Sequence, residues 1–169
     1  MGLGAGIVLL LLLQARAASP PPLPRPAPEL GQLQFFAGSW SCQDQDHRPS
    51  QVRVSLDLDG FWYSVRVEMP ASPEAPRGLR AQIYWGYDPA LRQFVETGVD
   101  TLGGFGTEMS PGWQGDRMVW TGDLLAMGER TEIRETFYRR ATVLQHTVES
   151  QVKGQWSVVT DEICRRATP

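Results

Sequence analysis

The chain has 169 residues, a formal charge of −3 and a pI near 5.4, which suits one domain built on one core. Arginine supplies nearly all the positive charge, Lys153 being the only lysine. No basic run is long enough to track a phosphate backbone, so nucleic acid is excluded as a partner.

Residues 1–18 carry an apolar run, 7–13, followed by Gln14-Ala15-Arg16-Ala17-Ala18. The run falls short of the roughly 20 residues that span a bilayer. It fits the apolar region of a secretory signal, with Ala15-x-Ala17 as a small-residue cleavage site. Residues 1–18 are therefore expected to be a signal peptide. The mature chain is expected to have no membrane span and to reside in the periplasm or the medium. No cysteine follows the run, so a lipid anchor is not indicated. Residues 19–28 are proline-rich and have little to bury, so an extended linker is expected. The folded domain is expected over 29–169.

Residues 29–34 suit one helical turn, and 35–43 a first strand. Residues 51–57 alternate, with Val52, Val54, Leu56 and Leu58 on one face and Arg53, Ser55 and Asp57 on the other, the pattern of a half-buried strand. Asp59-Gly60 then reads as a hairpin turn. Residues 61–69 alternate again, with Phe61, Tyr63, Val65, Val67 and Met69 on one face. Prolines break 70–78. Further strands are expected over 80–87, 91–99, 105–109, 117–122, 129–139, 142–151 and 156–165, separated by turns such as Asp88-Pro89-Ala90 and Lys153-Gly154. About ten short strands at regular spacing predict an all-β fold. A single up-and-down antiparallel barrel of about 8–10 strands accounts for that pattern.

Gly38-x-Trp40 on the first strand, with a basic residue near the end of the last, resembles the lipocalin (calycin) superfamily. Trp85-Gly86-Tyr87-Asp88-Pro89, Gly98-Val99-Asp100-Thr101 and the Gly103-Gly104 turn resemble an uncharacterised family of bacterial lipocalin-like domains. The absence of asparagine and the abundance of arginine fit a GC-rich bacterial genome. The resemblance covers about residues 33–166 and implies a closed antiparallel barrel. It also implies that Trp40 packs at the closed end beneath Arg166 or Arg165, a structural role. It implies no particular activity, and the portal helices of fatty-acid carriers are not found.

In an exported chain two cysteines favour a disulfide, here Cys42–Cys164. Pairing the first and last strands so that these cysteines oppose each other also sets Trp40 opposite Arg166. His47 lies in a polar loop. His146 lies between Leu144 and Val148 on one strand face, where a packed residue is the better reading and an axial haem ligand the sharper alternative. No cofactor, metal or catalytic residue is expected, since neither clustered His or Cys ligands nor a serine-nucleophile motif is found. Glu135 and Arg139 share a face with Ile133 and Phe137. Either that face is outside, or the charged pair points into the barrel and could hold a polar ligand head.

The preferred reading is an exported barrel that binds a small, largely apolar molecule, with candidate lining Tyr63, Val65, Trp85, Tyr87, Trp120 and Phe137 and candidate polar contacts Glu135, Arg139 and His146. A scaffold or protein-interaction barrel with a filled interior is the alternative, and a haem-binding or enzymatic barrel the third. Convergent titratable groups in the pocket would mark an enzyme.

Overall fold

A computed structural model describes residues 23–73, 75–126, 128–140 and 142–167. The expected signal peptide and the first part of the expected linker lie outside the described residues. A 3-10 helix, Pro28–Phe35, precedes eleven strands. These are β1 Gly38–Asp44, β2 Pro49–Asp57, β3 Trp62–Met69, β4 Leu79–Asp88, β5 Gln93–Asp100, β6 Phe105–Ser110, β7 Trp113–Gln114, β8 Arg117–Ala126, β9 Glu129–Arg139, β10 Val143–Val152 and β11 Gln155–Arg166.

Sequential strands pair antiparallel from β1 to β6 and from β8 to β11. β1 pairs with β11, and β6 pairs with β8, so the sheet closes into a ten-stranded up-and-down barrel. The two-residue β7 is an appendage paired only to β8. Alternation turns Val54, Val65, Trp85, Phe94, Trp120, Phe137 and Leu144 into one buried cluster.

Closure between β6 and β8 requires a very close approach. Gly122 faces Glu108 across that seam. A Cβ there would run into the Thr107 carbonyl oxygen and lie 2.7 Å from the Glu108 Cα, so only glycine fits.

β8 runs on to Ala126, beyond the expected end at residue 122. Leu124-Leu125-Ala126 has no alternation to announce a strand, but Leu124 and Leu125 pair with Thr131 and Arg130 of β9. The expected inward set on β2 is also corrected at one end. Val54 is buried, whereas Leu56 and Leu58 are exposed. The strand stops in a 3-10 turn, Leu58–Gly60, and those leucines lie where the strand runs out of core.

The 3-10 helix covers one end of the barrel and buries Leu30 and Leu33, with Phe36 just beyond it. Indoles take one carbonyl within it and one just beyond: Trp113 Nε1–H donates to Gln32 O (2.9 Å), and Trp40 Nε1–H to Phe36 O (2.7 Å). The Tyr63 hydroxyl donates to Gln34 Oε1 (3.1 Å). Arg166 lies 4.0 Å over the Trp40 ring and donates to the carbonyls of Phe35 and Ala37. Gly38 is needed beneath it, with φ at 118° and an added Cβ only 2.7 Å from Arg166 Nη1. Gly38 and Trp40 thus serve one contact, the seat of Arg166 on the indole.

The register of β1 and β11 sets Cys42 opposite Cys164 and Trp40 opposite Arg166. The cysteines are bonded, with an S–S distance of 2.01 Å. No helix among the described residues is long and apolar enough to cross a membrane.

Candidate ligand-binding cavity

A cavity of about 390 Å³ runs inside the barrel, from Phe36 at the covered end to Asp44, Arg48 and Met69 near the other. Arg48 keeps 47% of its side chain exposed, so solvent reaches that end. Valines, Ile83, Leu144, Phe36, Trp85 and Phe137 form most of the wall, interrupted by a small group of titratable side chains.

At the centre of that group is His146. Its ring stacks on Phe137 at 4.2 Å, nearly parallel. Nε2 faces Glu135 Oε2 at 3.0 Å and Nδ1 faces Glu162 Oε1 at 2.9 Å. Burial pulls its pKa down, and the charges and hydrogen bonds of Glu135 and Glu162 more than reverse that, to about 10. His146 is thus an imidazolium that donates from both nitrogens at neutral pH. In this arrangement both ring nitrogens are engaged by Glu135 and Glu162.

The strand registers explain how these side chains meet. His146 of β10 is paired with Glu162 of β11 on one side and Phe137 of β9 on the other. Glu135, two residues from Phe137, points the same way. Ser50 Oγ donates to the other oxygen of Glu162 at 3.3 Å.

A second set of carboxyls adjoins the first. Glu96 of β5 is paired directly with Glu108 of β6. Trp85 Nε1–H donates to Glu96 Oε2 at 2.6 Å. Glu108 is buried, and its Oε2 meets no hydrogen-bond partner among the described residues. One oxygen from each of Glu96, Glu108 and Glu135 falls within 4.8 Å of the others. Burial first, then the Glu135 charge, pushes Glu96 up to about 8, against the Trp85 hydrogen bond and the His146 charge. Burial first, then Glu135 and Glu96, pushes Glu108 up to about 11. Both therefore hold protons at neutral pH.

At the open end Asp44 behaves oppositely. Despite burial, the backbone amides of Arg48 and Asp46 and the Arg48 guanidinium hold its carboxyl below the usual range.

Among the candidate site residues, Val65, Trp85, Phe137, Glu135 and His146 line the cavity. Tyr63, Tyr87 and Trp120 do not; they pack the covered end, with Trp120 stacked on Trp85 (5.8 Å) and Tyr87 against Phe94 (5.2 Å). Arg139 is not beside Glu135 in the cavity. It lies 4.1 Å over the Trp113 ring and donates to the Gly115 carbonyl, so it caps the covered end. Sharing a strand face did not bring the two together, because four residues along a strand separate them by more than about 10 Å.

Glu96, Glu108 and Glu162 escape the sequence reading. Alternation carries the missing signal: Glu96 is in phase with Phe94, Glu108 with Ser110, and Glu162 with Cys164.

No protein-family model matches the chain, and no curated protein matches it. The barrel is compatible with a lipocalin-like fold.

Proposed function

We propose that this chain is an exported barrel that binds one small, largely apolar molecule in its interior. The observation that carries the reading is the 390 Å³ cavity with its mostly apolar wall and one polar patch. Small-molecule sites have about 300–1,000 Å³, apolar walls and a few placed polar groups. A barrel serving only as a scaffold has no need of that space, since side chains can fill it. Export is supported by the leader and by the disulfide, which belongs to an oxidising compartment, periplasm or medium. Kinship with the bacterial lipocalin-like family is supported by Gly38-x-Trp40 and by the Gly86-Tyr87-Asp88-Pro89 turn between β4 and β5.

A second reading has one specific observation in its favour. The convergence of Glu96, Glu135, His146 and Glu162 in the cavity is what an acid–base enzyme would need, and Glu96, raised to about 8, would be a general acid at neutral pH. The binding reading is preferred because the wall is mostly apolar and because His146, Glu135 and Glu162 hold each other in place.

Native mass spectrometry of protein purified from its own source tests both parts of the proposal. The expected mass is that of a chain shortened by residues 1–18, or by 1–17, carrying one additional small species that is lost on denaturation. A chain starting at Met1 would remove the export reading. A consumed and chemically altered copurified species, in place of an intact one, would move the account to the enzyme.

A further inference from the structure

We propose that the cavity takes a primary amine on a small apolar body, with the ammonium docked against Glu96 and Glu135 and Glu108 behind them. The proposal rests on the binding reading above and adds the chemical class of the ligand.

Charge balance in the barrel points there. Asp44 is matched by Arg48 at the open end. Deeper in, Glu96, Glu108, Glu135 and Glu162 face one cation among the described residues, His146, and both its N–H groups are already spent on Glu135 and Glu162. Glu96 receives only the Trp85 indole, and Glu108 Oε2 receives nothing. Glu96 and Glu108, set directly across the ladder, stay protonated without a cation beside them, and a seated cation would let Glu96 ionise. Three carboxyls that share two protons leave acceptor oxygens over, and an ammonium would bring three further donors to them.

The space suits an ammonium. The main cavity shares Ile83, Glu96 and Glu135 with a smaller one of about 100 Å³ that Glu108 also lines. Oxygens from the three carboxyls lie within 4.8 Å of one another, and an –NH₃⁺ carries three donors that can diverge to them. Phe36, Trp85, Phe137 and Val65 leave an apolar and aromatic berth for the rest of the ligand. A bare metal ion would make no use of that berth, and a quaternary ammonium would bring no N–H to Glu108.

Docking is coupled to protons. Without a ligand, Glu96 and Glu108 keep theirs. The groups facing Glu96 are the Trp85 indole, Glu108, Glu135 and His146; those facing Glu108 are Glu96 and Glu135. Seating an ammonium expels at least the Glu96 proton to solvent. Affinity for the amine therefore rises about tenfold per pH unit up to about pH 8, and levels off above it.

The test is calorimetric titration of the mature chain with 2-phenylethylamine, 2-phenylethanol and 3-phenylpropionate between about pH 6 and about pH 8. The amine is expected to bind one per chain, to gain affinity about tenfold per pH unit, and at about pH 8 to exceed the alcohol at least tenfold. Glu96→Gln should lower amine affinity at least about tenfold and flatten its pH dependence; Glu108→Gln, whose neutral side chain suits the buried site, should lower the affinity with its fold intact and leave the pH dependence in place. An alcohol bound as tightly as the amine, or an amine affinity flat with pH, overturns the proposal and leaves the binding reading in place. Calcium or magnesium chloride that displaces the amine and raises the melting temperature also overturns it, in favour of a metal. If none of the three compounds binds and a neutral apolar dye does not bind either, the binding reading falls as well.

Discussion

Replacing both Cys42 and Cys164 with alanine should lower the stability of the folded chain by about 4–5 kcal/mol, the chain-entropy value for a loop of this length. The bond joins residues 122 apart and ties the first barrel strand to the last. With it, the unfolded chain is confined to a loop spanning nearly the whole domain; without it, that confinement is lost while the β1–β11 ladder must still form. Both cysteines are buried, so alanine leaves no unpaired polar group behind. Denaturant midpoints of the oxidised protein, the reduced protein and the double variant measure the effect. Reduced protein and double variant should agree with each other and fall well below the oxidised form. Equal midpoints in all three would show that the barrel does not depend on the link.

Stability should also fall as pH rises from about 5 to about 9. Three buried groups have raised pKa values in the folded state: Glu96 from 4.5 to about 8, Glu108 from 4.5 to about 11, and His146 from 6.5 to about 10. Each holds a proton in the folded chain at a pH where the unfolded chain has released it. Their contribution is complete below the unfolded values and is lost progressively as pH climbs toward the folded ones. Asp44 and Glu149 are lowered, the first by Arg48 and backbone amides against burial, the second by its Arg134 hydrogen bonds, so their contribution is lost at the acid end. The optimum should sit on the acid side of neutral, near about pH 5. A tenfold difference in proton affinity between folded and unfolded chain corresponds to about 1.4 kcal/mol, so the total decline should reach a few kcal/mol. Melting temperatures across this range test it. Glu108→Gln should flatten the decline and melt above the parent at about pH 8, because a neutral amide suits a site that rejects the carboxylate. A melting temperature that is flat or rises with pH, or a Glu108→Gln variant less stable than its parent at that pH, would contradict the account.

The barrel was legible because it rests on period-two alternation and on turn chemistry, both local properties. The disulfide followed from one additional step: a register that opposes Cys42 to Cys164 also opposes Trp40 to Arg166, and the structure has that register. The polar interior was much less legible. Glu135 and His146 could be singled out from their apolar neighbours on the same strand. Their partner Glu162 could not, because its strand, β11, is exposed through Gln155–Val159 and turns inward only from about Thr160. Glu96 and Glu108 follow the right alternation, but a carboxyl on a strand is ordinarily read as solvated. Only the closing of β5, β6 and β8 around Gly122 removes the water from them. Arg139 shows the converse limit: it shares the face of Glu135 but belongs to the covered end, where Trp113 takes it up. Depth along the barrel axis is set by strand stagger, which no single strand encodes.

Fluorescence titration with a neutral, environment-sensitive dye such as N-phenyl-1-naphthylamine tests most directly that the interior is an open binding site. Trp85, which lines the cavity and stacks on Trp120, gives an intrinsic signal to compare with that of the dye. The account predicts one saturable site per folded chain, quenching of the tryptophan signal in parallel, and loss of both in Val65→Trp, which fills the cavity from β3. Dye that fails to saturate, or that binds equally well to the filled variant while that variant remains folded, would mean that the barrel interior is not where this protein takes a ligand.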